Sequence, residues 1–320
     1  MDFNMDKELI RKIKLAITEI KKAVIGKDDV IIKILMAICA GGHVLLEDIP
    51  GVGKTTMALA FSNALSLKYN RMQFTSDVMP ADVTGFNMLN RASGEFEFRS
   101  GAVFCNLFLA DEINRTSSKT QSALLEAMEE GSVTVDGVTR MLPRPFVVLA
   151  TQNPVGSAGT QLLPESQLDR FMVKLSMGYP DVKSEAAILK AKASKAAMQP
   201  VRPVMTAADL STVRAAAENI FVSDEIYDYI AAVSYATRND SRLELGVSTR
   251  GSIAVTQMAK AAAMLKGRSY VIPEDVLLVY GDTCAHRIIP KGMGGRAVSD
   301  TDSHALLSNI IRSVPIPKIG

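Results

Sequence analysis

Cysteine is scarce: Cys39, Cys105 and Cys284 lie far apart in apolar surroundings, without C-x-x-C spacing. That argues against a disulfide framework and a thiolate zinc site. His43, His286 and His304 are equally isolated, and read as surface or internally satisfied histidines rather than metal ligands. No apolar run is suited to crossing a membrane. The most apolar stretch, 30–46, is broken by Lys33 and Gly41-Gly42, and Asp2, Asp6 and Glu8 stand where a signal segment would be apolar. A cytoplasmic protein is expected. Charge of one sign is lacking too, since Lys+Arg 36 against Asp+Glu 34 leaves a net +2. With no basic stripe interleaved with aromatic residues, nucleic-acid work is disfavoured. Gly/Ser linkers, repeats and low-complexity tracts are also missing. What is present is ordinary globular composition, 48% hydrophobic and 22% charged over 320 residues. At a prior of roughly 100–200 residues per domain, that is enough for two domains.

Leu9, Ile10, Ile13, Ile17 and Ile20 recur at helical spacing over 6–24, and a second apolar helix is expected over 29–40. A strand over 43–46 runs into the turn Asp48-Ile49-Pro50-Gly51-Val52-Gly53 and a helix opening at Lys54. Further buried strands are expected over 71–74, 107–110 and 146–150, separated by helical stretches such as 119–130. Strands alternating with helices predict an α/β domain with a parallel sheet covered on both faces. Two β-hairpins interrupt it. One pairs 84–90 with 95–99, and the other flanks Asp136-Gly137 with strands over 132–135 and 138–141. After Tyr179-Pro180-Asp181 the chain turns alanine-rich and helical, so the expected division is an α/β domain over 1–180 and a smaller all-α domain over 181–320. Helix starts are legible at Thr206 with Asp209, at Ser223 and at Pro273, and Gly267 closes the helix beginning near Thr249.

A phosphate-binding loop needs a tight turn whose N–H groups converge on the anion, a lysine for the terminal phosphates and a hydroxyl for Mg²⁺. Gly51, Gly53, Lys54 and Thr55 supply these, although the strict G-x-x-x-x-G-K-[ST] pattern would have glycine at Asp48. Downstream, the apolar strand 107–110 ends in Asp111-Glu112. Asp111 suits the Mg²⁺ shell, and Glu112 suits the base that orients and deprotonates an attacking water. The strand over 146–150 runs into Thr151-Gln152-Asn153, with Asn153 at a carboxyl edge where α/β sheets bind ligands; a plain turn before Pro154 fits the same residues.

In this order the residues resemble the AAA+ ATPases, and within them the MoxR family. The likeness rests on Leu46-Glu47-Asp48-Ile49-Pro50-Gly51-Val52-Gly53-Lys54-Thr55, Leu109-Ala110-Asp111-Glu112-Ile113-Asn114-Arg115, Ala150-Thr151-Gln152-Asn153-Pro154 and Leu163-Pro164-Glu165-Ser166-Gln167-Leu168-Asp169-Arg170-Phe171. It spans about residues 20 to 290, and Asp48 is a common MoxR variant of the loop. The resemblance implies an ATPase using ATP and Mg²⁺. Pro50, Gly51, Val52, Gly53, Lys54, Thr55 and Thr56 would form Walker A, with Thr55 and Asp111 on the metal. Glu112 would complete Walker B, Asn153 would be sensor 1, and Val24-Ile25-Gly26 would lie against adenine. Arg170 matches the arginine finger that reaches a neighbouring subunit, and Arg250 the sensor 2 arginine, with Thr249 where the family usually has proline. By themselves both arginines also fit surface salt-bridge residues. The hairpins match the helix-2 and pre-sensor-1 inserts. The resemblance further implies a homo-oligomeric ring, expected to be a hexamer. Its function would be chaperone-like remodelling that matures or activates client proteins or inserts their cofactors, alongside a separate von Willebrand factor A domain partner. A magnesium-chelatase-like subunit and a nucleic-acid motor are the alternatives within the same fold.

Overall fold

The structure, a computed structural model, describes residues 7–49, 51–153, 163–193, 200–291 and 300–318. Asp6, Pro50 and Pro154 lie outside them. Helix α1 (Lys7–Ala23) turns Leu9, Ile13, Ala16 and Ile20 inward, and α2 (Asp28–Cys39) buries Ile31 and Ile34 to Cys39. Strand β1 (Val44–Glu47) leads through the glycine turn to α3 (Lys54–Ala64), β2 (Tyr69–Gln73) and α4 (Pro80–Thr84). The hairpin β3 (Gly85–Leu89) and β4 (Phe96–Ser100) precedes β5 (Leu107–Asp111) and α5 (Ser118–Glu130). A second hairpin, β6 (Ser132–Val135) and β7 (Val138–Met141), precedes β8 (Val147–Gln152), α6 (Glu165–Leu168) and β9 (Val173–Leu175). Asp136 and Gly137 both have positive φ, the conformation a two-residue hairpin turn needs.

The central sheet is parallel, in the order β2-β5-β8-β1-β9. Because side chains alternate along a strand, it divides the core in two. Val44, Leu46, Leu107, Leu109, Val147 and Leu149 join the cluster of α1, α2 and α3. Leu45, Phe108, Ala110, Val148 and Ala150 face the cluster containing Leu124, Leu125 and Met128 of α5. Two expectations need correction. β2 begins two residues earlier than the sequence suggests and is a half-exposed edge strand, not a buried one. β9, only three residues long, closes the other edge where the sequence gives no strand signal.

Beyond β9 the chain is helical, with α7 (Val182–Ala193), α8 (Ala207–Glu218) and α9 (Asp224–Asn239). Then come β10 (Leu243–Leu245), α10 (Thr249–Leu265), α11 (Pro273–Cys284), β11 (Ile289–Pro290) and α12 (Asp300–Ser313). The antiparallel pair β10–β11 is a further departure from the all-helical expectation. Thr206 and Asp209 form the expected capping box on α8, whereas Ser223 caps α9 by position without a side-chain bond to it. Helix α10 packs on α2, α8, α9 and α11, and its apolar residues are continuous with the α1–α3 core. Among the described residues no helix is long and apolar enough to cross a membrane.

Candidate active site

Since the strands run parallel, the residues after their C-terminal ends gather at one edge of the sheet. The 48–53 loop comes after β1, Asp111 ends β5 with Glu112 after it, and Thr151 and Gln152 end β8 before Asn153. Gly51 and Gly53 hold φ of +89° and +97°, and at neither would a Cβ meet another atom within 4 Å. The loop is thus an open cradle with backbone conformations that side-chain-bearing residues rarely adopt. Lys54 is buried, and its Nζ donates to the Asp48 carbonyl at 2.7 Å inside that cradle. Burial pushes the Lys54 pKa down, opposed by Asp48, Asp111 and Glu112. A cation held without a carboxylate bonded to it, beside a glycine turn with open space around it, fits a polyanionic phosphate chain. Thr55 is half-buried beside it and Thr56 exposed.

Asp48 has a role of its own. Its carboxylate accepts hydrogen bonds from Ser176 Oγ at 2.9 Å, Gly178 N at 3.0 Å and Met177 N. The same turn is gripped from the other side by Lys27 Nζ, which donates to the Gly178 carbonyl at 3.1 Å and the Tyr179 carbonyl at 2.8 Å. Gly26 packs so closely on α7 that a Cβ there would come within 2.1 Å of Ser184 Oγ. Lys27, next to Val24, Ile25 and Gly26, and Asp48 of the glycine loop therefore both bond to the short segment 176–179 that precedes α7.

The acids are interlocked. Thr151 Oγ1 donates to Asp111 Oδ1 at 2.7 Å and accepts from Glu112 N at 2.8 Å, while Arg71 pairs with Asp111 Oδ2 at 2.7 Å. Glu112 takes φ +58°, a left-handed conformation uncommon for glutamate that tends to mark functional sites. Its carboxylate receives Asn153 Nδ2 at 3.0 Å and Arg115 Nη1 at 2.8 Å. Burial raises the Glu112 pKa, but these donors outweigh it and hold the carboxyl below the ordinary range, so it is ionised at neutral pH. Asn153 Oδ1 is buried without a partner, and Asn114 clasps the Asn153 backbone. An orphan acceptor beside an ionised carboxylate suits a water donating to both. No cluster of three or more acids, histidines or cysteines could hold a metal among the described residues. Thr55 and Asp111 thus fit Mg²⁺ only as a small donor set completed by phosphate oxygens and water, which is the ion's usual habit.

Arg170 and Arg250 stand elsewhere. Arg170 precedes β9 and Gly42-His43 precede β1, so both belong to the opposite edge of the sheet, across strands of three to six residues. At about 3.3 Å per residue that is roughly 10–20 Å from Lys54 and Glu112. Arg250, in the first turn of α10, joins Arg170 there, and both bond to Glu129, at 2.6 Å and 2.9 Å. The buried Arg287 seals the contact, donating to Asp169 Oδ1 at 2.7 Å and to the Asp169 and Phe171 carbonyls at 3.0 and 2.8 Å. Arg250 is therefore a neighbour of Arg170 and not of Lys54 or Glu112. Sequence reasoning missed Thr151, Arg71 and Arg115 as site residues. It also missed Glu129, for which an acid near a helix end offers no signal.

The pattern of the ATPase family associated with various cellular activities (AAA) matches residues 43–173, and that of the AAA lid domain residues 235–305. The protein YeaC of Bacillus subtilis is 44% identical over 304 residues, 94% of each chain. Chaperone MoxR1 of Mycobacterium tuberculosis is 35% identical over 97% of this chain and 84% of its own. A solved structure from Cytophaga hutchinsonii, 37% identical, superposes with a TM-score of 0.87 over 97% of this chain and 96% of that one. The sequence likeness covers the α/β sheet, the helical part and the motif residues together, and the chain belongs to the MoxR family of AAA+ ATPases.

Proposed function

We propose that the protein hydrolyses Mg²⁺-ATP to ADP and phosphate in a homo-oligomeric ring, read as a hexamer, and uses the cycle for chaperone-like remodelling of client proteins. A separate von Willebrand factor A domain partner and a cytoplasmic setting belong to the same reading, as does the division into a nucleotide-binding unit over 1–180 and a lid over 181–320. The name of the mycobacterial relative supports the chaperone class. One observation carries the chemistry: Glu112, ionised and 3.0 Å from Asn153, stands at the sheet edge onto which the Lys54 loop opens.

Lys54 would offset the charge of the β- and γ-phosphates, and the N–H groups of the glycine turn would orient them. Mg²⁺, on Thr55 and Asp111, would neutralise charge that develops on the phosphates. Glu112 would accept the proton of the attacking water while Asn153 fixes its direction. Arg170 and Arg250 lie on the far edge from Lys54 and Glu112, which supports a role in trans: they would stabilise the γ-phosphate held by an adjoining copy, making hydrolysis depend on assembly. Glu112→Gln tests the core of this reading. The isosteric amide should leave Mg²⁺-ATP binding intact by calorimetry and slow turnover by about 10²–10⁴, the usual loss of a general base. Wild-type turnover by that variant would remove Glu112 as the base and, with it, this assignment of the chemistry.

A further inference from the structure

Glu129 is the only carboxylate bonded to both Arg170 and Arg250 among the described residues, through Oε2 to Arg170 Nε and Oε1 to Arg250 Nη2. We infer that Glu129 is a positioning residue: it holds the two arginines side by side, with donors to spare, where the triphosphate of an adjoining copy would arrive. This role rests on the ring proposed for the protein.

Its placement runs against local preference. A carboxylate in the last turn of a helix faces the negative end of the helix dipole, and α5 has no basic residue in that turn to compensate. The compensation comes from α10 and from the segment before β9, so the contact is a tertiary one. The backbone around it is also fixed. His43 Nε2 donates to the Met128 carbonyl at 3.1 Å, and Gly131, with φ +61°, ends the helix by donating to the Ala127 carbonyl at 3.1 Å.

The donors decide what the pair is suited to. Arg170 uses Nε on Glu129 and Nη1 on the Ser166 carbonyl at 3.0 Å, and Arg250 uses Nη2. A guanidinium carries five N–H donors, so both retain capacity for an anion without releasing Glu129. Two guanidinium groups repel each other, and one carboxylate between them removes that repulsion while leaving a net positive pair. Without Glu129 the arginines would splay apart, and catalysis would suffer through geometry rather than through nucleotide binding.

The test compares Glu129→Ala and Glu129→Gln with Arg170→Ala, and with Glu130→Gln, an exposed neighbouring control, in steady-state ATPase assays on assembled protein. Both Glu129 variants should lose about 10–100-fold in kcat, the cost of an angstrom-scale misplacement, with KM unchanged. Glu129→Gln preserves shape and serves if the alanine variant fails to assemble. Glu130→Gln should match the wild type. Mixing Glu129→Ala with Glu112→Gln should restore activity, since each supplies what the other's site lacks; a purely structural defect within one chain would not be rescued this way. Wild-type kcat in both Glu129 variants while Arg170→Ala is inactive overturns the inference and spares the ring reading. So does a raised KM at constant kcat, or a co-assembled mixture that stays inactive. Full activity in Arg170→Ala removes the ring reading and this inference with it.

Discussion

His43 and His286 are buried and neutral, held by hydrogen bonds to the backbone rather than by charge. His43 Nδ1 accepts from Val148 N at 3.0 Å, and His286 Nε2 donates to the Phe171 carbonyl at 3.0 Å. Burial pushes His43 down to about 4, and His286 is driven well below its ordinary value, chiefly by burial and then by Arg287. A base whose folded pKa lies below its unfolded value is protonated first in the unfolded chain. Each histidine therefore contributes stability that is complete above about pH 6.5 and is lost as pH falls through the window below it, by about 1.4 kcal/mol per pH unit. Urea midpoints should accordingly drop between pH 7 and pH 5, and His43→Gln should flatten part of that slope; an unchanged slope would mean His43 titrates normally. Their isolation in the sequence left surface and internally satisfied histidines open, and burial decided for the second at His43 and His286. The partners of Glu112 were not, because Asn153 and Arg115 reach it only through the left-handed turn at Glu112 and the pairing of β5 with β8.

At the scale of elements, the turn between α10 and α11 concentrates charge around one carboxylate. Asp275 is fully buried and caps α11 by accepting from Ile272 N at 3.1 Å. It also takes Arg268 Nη2 at 2.6 Å and Lys266 Nζ at 3.0 Å. Burial alone would raise its pKa, but Arg268 and the cap reverse the sign and hold it low, so its contribution is present at neutral pH and lost in acid. Its two cations are partly exposed and can re-solvate, so the loss is that of the cap and the charge-assisted bonds, and Asp275→Ala should cost about 1–3 kcal/mol in denaturant unfolding. A loss under about 1 kcal/mol would show that the cap and these bonds add little. Elements with local signals were legible: α1 and α2 by periodicity, the second hairpin by Asp136-Gly137, α8 by its capping box. Strands β9 and β10, at three residues each, carry too few side chains for a period, and exist because neighbours offer them hydrogen bonds.

For the whole molecule, the parallel sheet separates Lys54, Asp111 and Glu112 from Arg170 and Arg250 onto opposite edges, so in the proposed ring a complete site would draw on two chains. Arg170→Ala should bind nucleotide yet approach the inactivity of Glu112→Gln, since loss of a finger arginine costs about 10³–10⁵ in rate. Mixing the two inactive variants should restore part of the activity, and wild-type specific activity should rise with protein concentration. Full activity from a diluted monomer, with a dead mixture that nonetheless co-assembles, would make Arg170 structural. The sequence by itself determined the α/β order, the glycine loop before α3 and the acids at the end of β5, because these depend on short-range spacing: a glycine turn between a strand and a helix, and charges at the end of an apolar run. Only the tertiary structure decided that Asp48 anchors the turn at Ser176–Gly178 and that Arg250 stands with Arg170 at Glu129. Those contacts join residues more than 40 or 100 positions apart, and strand order and helix packing, not local pattern, bring such residues within hydrogen-bonding distance.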